Sequence, residues 1–251
     1  MDLGLRAKNA IVTGGSQGIG RATALALAHE GANVAICARK QNSLQETARE
    51  LQETGVKVCA ASCNVADPEA LNTFLEAARN ALGGVDILVN NVSAFGGADD
   101  ESAWQASLNV DLMASVRAVW KVVPWMKDGG GGAIIHVSSI SGLEAGWSPS
   151  YAAAKAALIS HSKTLAINLA PMNIRVNVVA PGSIGFPGGR WENVKNKNPQ
   201  RYEAVLSMIP WKRMGTPEEV ANAIVFLASS RASWITGACL TVDGGQHRGN
   251  L

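Results

Sequence analysis

Short apolar runs alternate with longer helical stretches along the whole of this 251-residue chain. The apolar runs predict seven strands, at residues 9–13, 33–38, 57–61, 86–90, 133–137, 175–180 and 239–242. Most are apolar throughout, which is typical of strands covered on both faces. The stretches between them predict helices at 19–30, 44–54, 68–82, 101–126, 151–169 and 217–228. This alternation predicts one α/β domain over residues 1–251, with a seven-stranded parallel sheet doubly wound by helices on both faces.

The composition argues against several classes of function. Hydrophobic residues make up 47% of the chain, which is ample for a core, and the net charge of +2 is spread without a basic run. Nucleic-acid binding therefore has no electrostatic support. No window reaches the roughly 18 apolar residues of a membrane span, and the first residues do not resemble a signal peptide. We expect a cytoplasmic protein without nucleic-acid or membrane partners, in which Cys37 and Cys59 are buried free thiols.

A glycine-rich turn follows the first predicted strand and opens the first helix. Its sequence is Thr13-Gly14-Gly15-Ser16-Gln17-Gly18-Ile19-Gly20. Glycines permit a tight turn and let backbone N–H groups approach a pyrophosphate at the positive end of a helix. The spacing Gly-x-x-x-Gly-x-Gly differs from the common Gly-x-Gly-x-x-Gly, but its place between strand and helix favours nucleotide binding. The expected cofactor contacts are Gly14, Ser16, Gln17, Gly18, Ile19 and Gly20.

The end of the second predicted strand indicates which nucleotide binds. An acid at this place would accept hydrogen bonds from the ribose hydroxyls of NAD, but Ala38 is followed by Arg39 and Lys40. These two cations suit the 2′-phosphate of NADP, which a guanidinium can hold through two hydrogen bonds. Solvated loop charges are the simpler alternative. We predict NADP(H) as the cofactor, with NAD as the alternative.

A tyrosine and a lysine stand four residues apart in an alanine-rich stretch at residues 150–157. On a helix such residues share one face, about 6 Å apart along the axis. A phenol ordinarily keeps its proton to about pH 10, and a neighbouring ammonium stabilises the phenolate form. Beside Lys155, Tyr151 could therefore give a proton to a carbonyl oxygen, or take one from an alcohol, near neutral pH.

A segment of over thirty residues separates the sixth predicted strand from the last predicted helix. Connections in α/β domains are usually about 2–6 residues long, so we expect a substrate loop at about 183–212. A decorative insertion is the alternative, but bulky apolar side chains argue against it. Arg190 is expected to be solvated, with a substrate carboxylate as the alternative. The predicted substrate contacts, which suit an apolar or ring-bearing molecule, are Trp147, Phe186, Trp191 and Trp211.

Together these motifs resemble the short-chain dehydrogenase/reductase superfamily, and its 3-oxoacyl-reductase-like members in particular. The resemblance covers nearly the whole chain. It includes Asn90-Asn91 after the fourth strand, serines after the fifth, Pro181-Gly182 after the sixth and Val242-Asp243-Gly244-Gly245 near the end. It implies a Rossmann-type fold and an NADP(H)-dependent oxidoreductase that interconverts a ketone and a secondary alcohol by hydride transfer. The same chemistry with NAD, and reduction of a 3-oxoacyl thioester, are alternatives.

The resemblance also implies a catalytic tetrad of Asn109, a serine, Tyr151 and Lys155. Tyr151 would be the acid/base, Lys155 would also bind the nicotinamide ribose, and Asn109 would hold a water behind Lys155. The serine would orient the substrate oxygen. Counting thirteen residues back from Tyr151 gives Ser138, whereas the strand register gives Ser139. We choose Ser139, because register fixes the direction of a side chain and a loop can lose a residue at little cost.

Further contacts and an assembly follow from the same resemblance. A small-molecule substrate and a homotetramer are implied, with the helix at 217–228 of a type used in its interfaces. A non-catalytic NADP-binding sensor would be expected to lack part of the tetrad. A metal-dependent alcohol dehydrogenase would need clustered ligands, whereas the four histidines are scattered, so no metal is expected. The remaining expected cofactor contacts are Asn64, Val65, Asn91, Pro181, Gly182 and Ile184.

Overall fold

Seven parallel strands form a single sheet in the computed structural model, which describes residues 2–249. They are β1 (Asn9–Thr13), β2 (Asn33–Ala38), β3 (Val58–Ser62), β4 (Ile87–Asn90), β5 (Gly132–Val137), β6 (Ile174–Pro181) and β7 (Cys239–Val242). Their order is β3-β2-β1-β4-β5-β6-β7, and each neighbouring pair is parallel. The order reverses between β1 and β4, which is where such sheets open a crevice at the carboxyl ends of their strands. The predicted doubly wound α/β fold is confirmed.

Helices cover both faces of this sheet. They are α1 (Gly18–His29), α2 (Gln41–Glu53), α3 (Pro68–Leu82), α4 (Glu101–Ala106), α5 (Ala114–Asp128), α6 (Pro149–Leu169), α7 (Arg190–Lys197), α8 (Pro199–Met208) and α9 (Pro217–Ala228). Side chains alternate along a strand, so the neighbours Ile11 and Val12 of β1 lie in two different apolar clusters. Cys37 is buried as predicted, but Cys59 is only partly buried because β3 is an edge strand.

The helix predicted at residues 101–126 is interrupted. Between α4 and α5, residues Ser107–Met113 form a π-helical segment. Its hydrogen bonds span five residues instead of four, so the spacing of an ordinary helix does not predict which of its side chains point inward. This segment carries Asn109 and packs against α6.

The segment between β6 and α9, which we call the β6–α9 segment (residues 182–216), contains α7 and α8 rather than an open loop. Its base is closed by backbone hydrogen bonds from Gly185 N to Gly215 O (2.9 Å) and from Gly215 N to Ser183 O (3.0 Å). Both helices were missed by the sequence patterns because they are short and bury little apolar surface, with Val205 of α8 as their one buried residue among those described. Within residues 2–249, none of the helices is long and apolar enough to cross a membrane.

Candidate active site

A cleft of about 810 Å³ opens at the carboxyl ends of the strands. Gly18 and Gly20 are the predicted cofactor contacts that lie outside its lining. The others line it together: Gly14, Ser16, Gln17, Ile19, Arg39, Lys40, Asn64, Val65, Asn91, Tyr151, Lys155, Pro181, Gly182 and Ile184. The catalytic candidates Asn109, Ser138 and Ser139 line the same cleft. The fold therefore brings the two groups of motifs into one site.

The glycine turn is fixed by close backbone packing. The Asn91 side-chain amide donates to the carbonyls of Thr13 and Gly14, both at 3.1 Å. A Cβ at Gly20 would collide with the Gly14 carbonyl and with the Asn91 amide, so this position requires glycine. Gln17 precedes α1 and its side chain makes no capping bond, which leaves the first N–H groups of the helix to a ligand at the positive helix end.

Arg39 and Lys40 are exposed in the connection between β2 and α2. Neither forms an ion pair with another described residue. Among residues 2–249, none of those that line the cleft is an aspartate or a glutamate. This end of the cleft therefore offers two uncompensated positive charges.

Tyr151 and Lys155 lie on one face of α6, and both are buried. The Lys155 ammonium lies 5.6 Å from the centre of the Tyr151 ring and donates to the Val137 carbonyl at 3.0 Å. It is thus held between the end of β5 and the phenol. The predicted pairing of these two side chains is present in the structure, although their catalytic roles stay predictions.

The two serines at the end of β5 are engaged differently. Ser138 Oγ donates to the backbone carbonyl of Lys155 at 2.9 Å, so its proton is committed to holding α6 against β5. Ser139 Oγ accepts from Ser141 N and contacts Ser141 Oγ, both at 3.1 Å. A bond between two hydroxyls can reverse its direction, which leaves Ser139 free to donate to a substrate.

Asp111 is a site residue that the sequence patterns missed. Its side chain is 0% exposed, and its Oδ1 lies 3.3 Å from the ammonium of Lys155, which is 2% exposed. Its Oδ2 accepts from Ala94 N at 3.1 Å. Asn109, predicted for the place behind Lys155, lines the cleft but makes no hydrogen bond to Lys155 in the described structure. The available signal was the single charged residue of the stretch 102–116, since a buried charge needs a partner.

His136 lies buried below these groups, at the end of β5. Its Nδ1 is 3.3 Å from the side-chain amide nitrogen of Asn90. Burial, and then the nearby His161 and Lys155, lower the pKa of His136 to about 3. The imidazole is therefore neutral at physiological pH and adds no charge to the site.

The substrate end of the cleft differs from the prediction in its aromatic residues. Phe186 and Trp191 line the cleft, as do Phe95 and Arg190. Trp147 and Trp211 lie outside it. Trp147 donates its indole N–H to Glu144 at 3.1 Å, whereas Trp211 is 67% exposed and lines a separate cavity of about 470 Å³.

Comparison with known proteins gives this cleft a family context. Residues 14–247 match the family model described as Enoyl-(Acyl carrier protein) reductase. The human dehydrogenase/reductase SDR family member 4 is 38% identical over 247 residues, which cover 95% of this chain and 87% of that protein. The chain belongs to the short-chain dehydrogenase/reductase (SDR) family. The 3-oxoacyl-(acyl-carrier-protein) reductase of Thermotoga maritima, also 38% identical, matches over 96% of this chain and 98% of its own.

Solved SDR structures share the fold over almost the full chain. The L-sorbose reductase of Gluconobacter frateurii, complexed with NADPH and L-sorbose, superimposes with a TM-score of 0.92 at 38% identity. The match covers 99% of this chain and 100% of that one. A 7α-hydroxysteroid dehydrogenase complexed with NADH gives a TM-score of 0.90 at 32% identity, over 97% and 96% of the two chains.

As an SDR oxidoreductase, the protein belongs to enzymes that act on CH–OH and C=O groups. The fold binds a nicotinamide cofactor in the crevice above the strand ends. Within residues 2–249, no group of three or more His, Cys, Asp or Glu side chains is placed to hold a metal ion.

Proposed function

We propose that this SDR enzyme is an NADP(H)-dependent reductase that converts a ketone to a secondary alcohol, with Tyr151 as the proton donor. One observation carries the proposal: the buried pair of Tyr151 and Lys155 opens into the same cleft as the glycine turn and Arg39. The reverse reaction, oxidation of the alcohol, uses the same groups in the opposite protonation states.

The residues present fit NADP(H). Gly14 and the uncapped start of α1 provide backbone N–H groups for a pyrophosphate, and Gly20 allows the helix to approach the sheet. Arg39 and Lys40 stand where an adenosine ribose phosphate would need cations. The bound cofactor would supply the hydride for the carbonyl carbon.

Tyr151 would handle the proton at the carbonyl oxygen. In reduction its phenol donates this proton as the oxygen gains electrons, and the Lys155 ammonium, 5.6 Å from the ring centre, stabilises the phenolate that remains. Ser139 would donate a hydrogen bond to the same oxygen, which polarises the carbonyl and fixes its position. Burial of these groups keeps water from competing for the substrate oxygen.

Asp111 would act as a positioning residue through Lys155. Its carboxylate provides the counter-charge for a buried ammonium, and its bond to Ala94 N ties the backbone after β4 to the same group. A buried pair is stable only when its remaining hydrogen-bonding groups are also satisfied, and the Val137 carbonyl meets one of them. Lys155 is thus held by the Asp111 carboxylate and by the Val137 carbonyl.

Preference for NADP over NAD rests on the charge at the end of β2. A 2′-phosphate would neutralise Arg39 and Lys40, whereas NAD would leave both cations unpaired. The cleft contains no acidic side chain for the ribose hydroxyls among its described lining residues. The NADPH complex of the sorbose reductase is consistent with this choice, although the steroid dehydrogenase was solved with NADH.

Self-association is supported by apolar side chains left on the surface. Trp234 is 99% exposed, and Leu240 of the edge strand β7 and Phe226 of α9 are partly exposed. Trp120 on α5 and Ile167 on α6 are also exposed. Exposed apolar side chains on several elements are what interfaces between copies would cover, and we propose a homotetramer.

A panel of ketones, 3-oxoacyl thioesters and secondary alcohols, assayed with NADPH and NADH by the absorbance of the reduced nicotinamide, tests the proposal. We expect consumption of NADPH with at least one ketone, at a higher kcat/KM than with NADH. Tight NADPH binding without turnover of any compound would instead indicate a sensor. A preference for NADH would contradict the assignment of Arg39 and Lys40.

A further inference from the structure

The positive charges in the cleft are unevenly compensated. Four cationic side chains line it, namely Arg39, Lys40, Lys155 and Arg190, and none of its described lining residues is acidic. Lys155 has its counter-charge in Asp111 behind the cleft. Arg39 and Lys40 would meet the phosphate of the proposed cofactor. Arg190 has no such partner, because none of the described acidic residues forms an ion pair with it.

Arg190 is not a freely solvated loop side chain. It is the first residue of α7 and is partly buried, and burial lowers the pKa of its guanidinium, with Tyr151 and Arg201 as nearby charged or ionisable groups. The guanidinium nevertheless stays charged at any physiological pH. Removing a charge from water is unfavourable unless another group compensates it. A partly desolvated cation that faces a cleft without an acid therefore favours an anionic ligand.

The position of Arg190 points to the substrate rather than to the cofactor phosphates. Its guanidinium carbon lies 5.6 Å from the centre of the Phe95 ring, and that ring stacks on Tyr151 at 5.6 Å with an interplanar angle of 30°. Because both distances are 5.6 Å, the guanidinium carbon lies at most twice that distance from the centre of the Tyr151 ring. Arg39, at the end of β2, lies beside the glycine turn instead.

Phe95 gives the stack a defined geometry. It has a φ of 52°, which is uncommon for a bulky residue, and it stays 49% exposed in the cleft wall. Backbone strain of this kind tends to persist at binding sites, where surrounding contacts maintain it. The ring offers an apolar surface between the proton donor and the cation, which suits a hydrocarbon linker between two polar ends of one substrate.

We propose that Arg190 binds a carboxylate of the substrate, so that the enzyme acts on oxo acids and the corresponding hydroxy acids rather than on neutral ketones. This inference rests on the proposed function for the place of the carbonyl at Tyr151. A guanidinium can bind a carboxylate through two parallel hydrogen bonds, which also fixes the orientation of the substrate. The Phe95 ring lies next to both groups and offers apolar contact to the linker between them.

The test compares charged and neutral substrates of the same shape. 3-Acetylbenzoate, 4-acetylbenzoate and 4-oxopentanoate are each paired with the primary amide, and binding to the NADPH-loaded enzyme is measured by calorimetry beside kcat/KM. In the wild type we expect each acid that binds to be preferred over its amide by about ten- to a hundredfold. Arg190→Gln should reduce this preference to about one, and Arg190→Lys should restore part of it.

Arg201→Gln provides the matched control, because Arg201 is exposed and close enough to interact electrostatically with Arg190. It should leave the acid-to-amide ratio within about threefold of the wild type, since an exposed charge is screened by salt. The inference is overturned if the amides bind as well as the acids, if no acid binds, or if Arg190→Gln weakens NADPH while the ratio stays unchanged.

Different results would contradict the proposed ketone reduction and the proposed carboxylate binding by Arg190. Calorimetry on Tyr151→Phe measures the acid-to-amide preference without turnover, so that charge recognition can be found even if hydride transfer is not. Turnover of neutral ketones with NADPH, without preference for the acids, would support the proposed function and contradict the role of Arg190.

Discussion

The two ends of the cleft differ in which parts of the chain form them: backbone groups form the nucleotide end, and side chains form the substrate end. The nucleotide end consists of strand ends and a glycine turn, whose carbonyls at Thr13 and Gly14 accept hydrogen bonds from the side-chain amide of the neighbouring Asn91. The substrate end consists of side chains from distant parts of the chain, such as Phe95 and Arg190, which meet in one stack. A site built from backbone follows from local sequence, whereas a site built from side chains depends on how distant segments pack.

The largest expected effect concerns Asp111, which lies between the two ends. Asp111→Ala leaves the Lys155 ammonium buried without its counter-charge, which should lower the free energy of unfolding by about 3–5 kcal/mol. Urea denaturation measures this loss. Ser107→Ala, in the same π-helical segment, serves as a control and should have a smaller effect, since it removes one neutral hydroxyl.

Asp111→Asn sharpens this prediction by removing the charge at nearly constant volume. A folded Asp111→Asn enzyme should then lose kcat with little change in KM, because the Lys155 ammonium no longer has a charged partner that fixes its position. An unchanged kcat in a folded Asp111→Asn enzyme would contradict the role of Asp111 in positioning Lys155.

The second prediction compares the two serines. Ser139→Ala should lower kcat roughly a hundredfold, because it removes a hydrogen-bond donor to the reacting oxygen. Ser138→Ala should lower kcat far less and act mainly on stability, since its hydroxyl is bound to the Lys155 carbonyl. The reverse ranking would show that the spacing to Tyr151 was the better guide than the strand register.

These residues also show which parts of the fold and of the site can be predicted from sequence patterns. The seven strands, the glycine turn and the pair of Tyr151 and Lys155 were predictable, because apolar runs and helical spacing are local properties. Asp111 was not, since the π-helical segment changes which side chains face inward. Nor was the stack of Phe95 on Tyr151, because its geometry depends on the path of the chain after β4.

The third prediction tests the nucleotide end. Arg39→Ala should weaken NADPH about ten- to a hundredfold, since a charge-assisted hydrogen bond contributes roughly 1.5–3 kcal/mol. NADH affinity should hardly change, because NADH lacks the 2′-phosphate. Titration of both cofactors into wild type and variant measures the difference. Equal losses of affinity for NADPH and NADH would contradict the role of Arg39 in binding the 2′-phosphate.

The smallest expected effect lies at the substrate end, where the sequence predicts that both Trp191 and Trp211 contact the substrate. Trp191 lines the cleft, so Trp191→Ala should change the ratios of kcat/KM among substrates by several-fold. Trp211 lines the separate cavity, and Trp211→Ala should leave those ratios nearly unchanged. If Trp211 alters them as much as Trp191, the β6–α9 segment must move so that both indoles reach the substrate.

The most direct test of the central claim is the kinetics of Tyr151→Phe with NADPH and a ketone that the wild type reduces. The ring and its contact with Phe95 are kept, and only the proton donor is lost. We predict that kcat falls by about 10²–10⁴-fold, the usual contribution of a positioned general acid, while NADPH binds with nearly unchanged affinity. A kcat within tenfold of the wild type would contradict the assignment of Tyr151 as the proton donor.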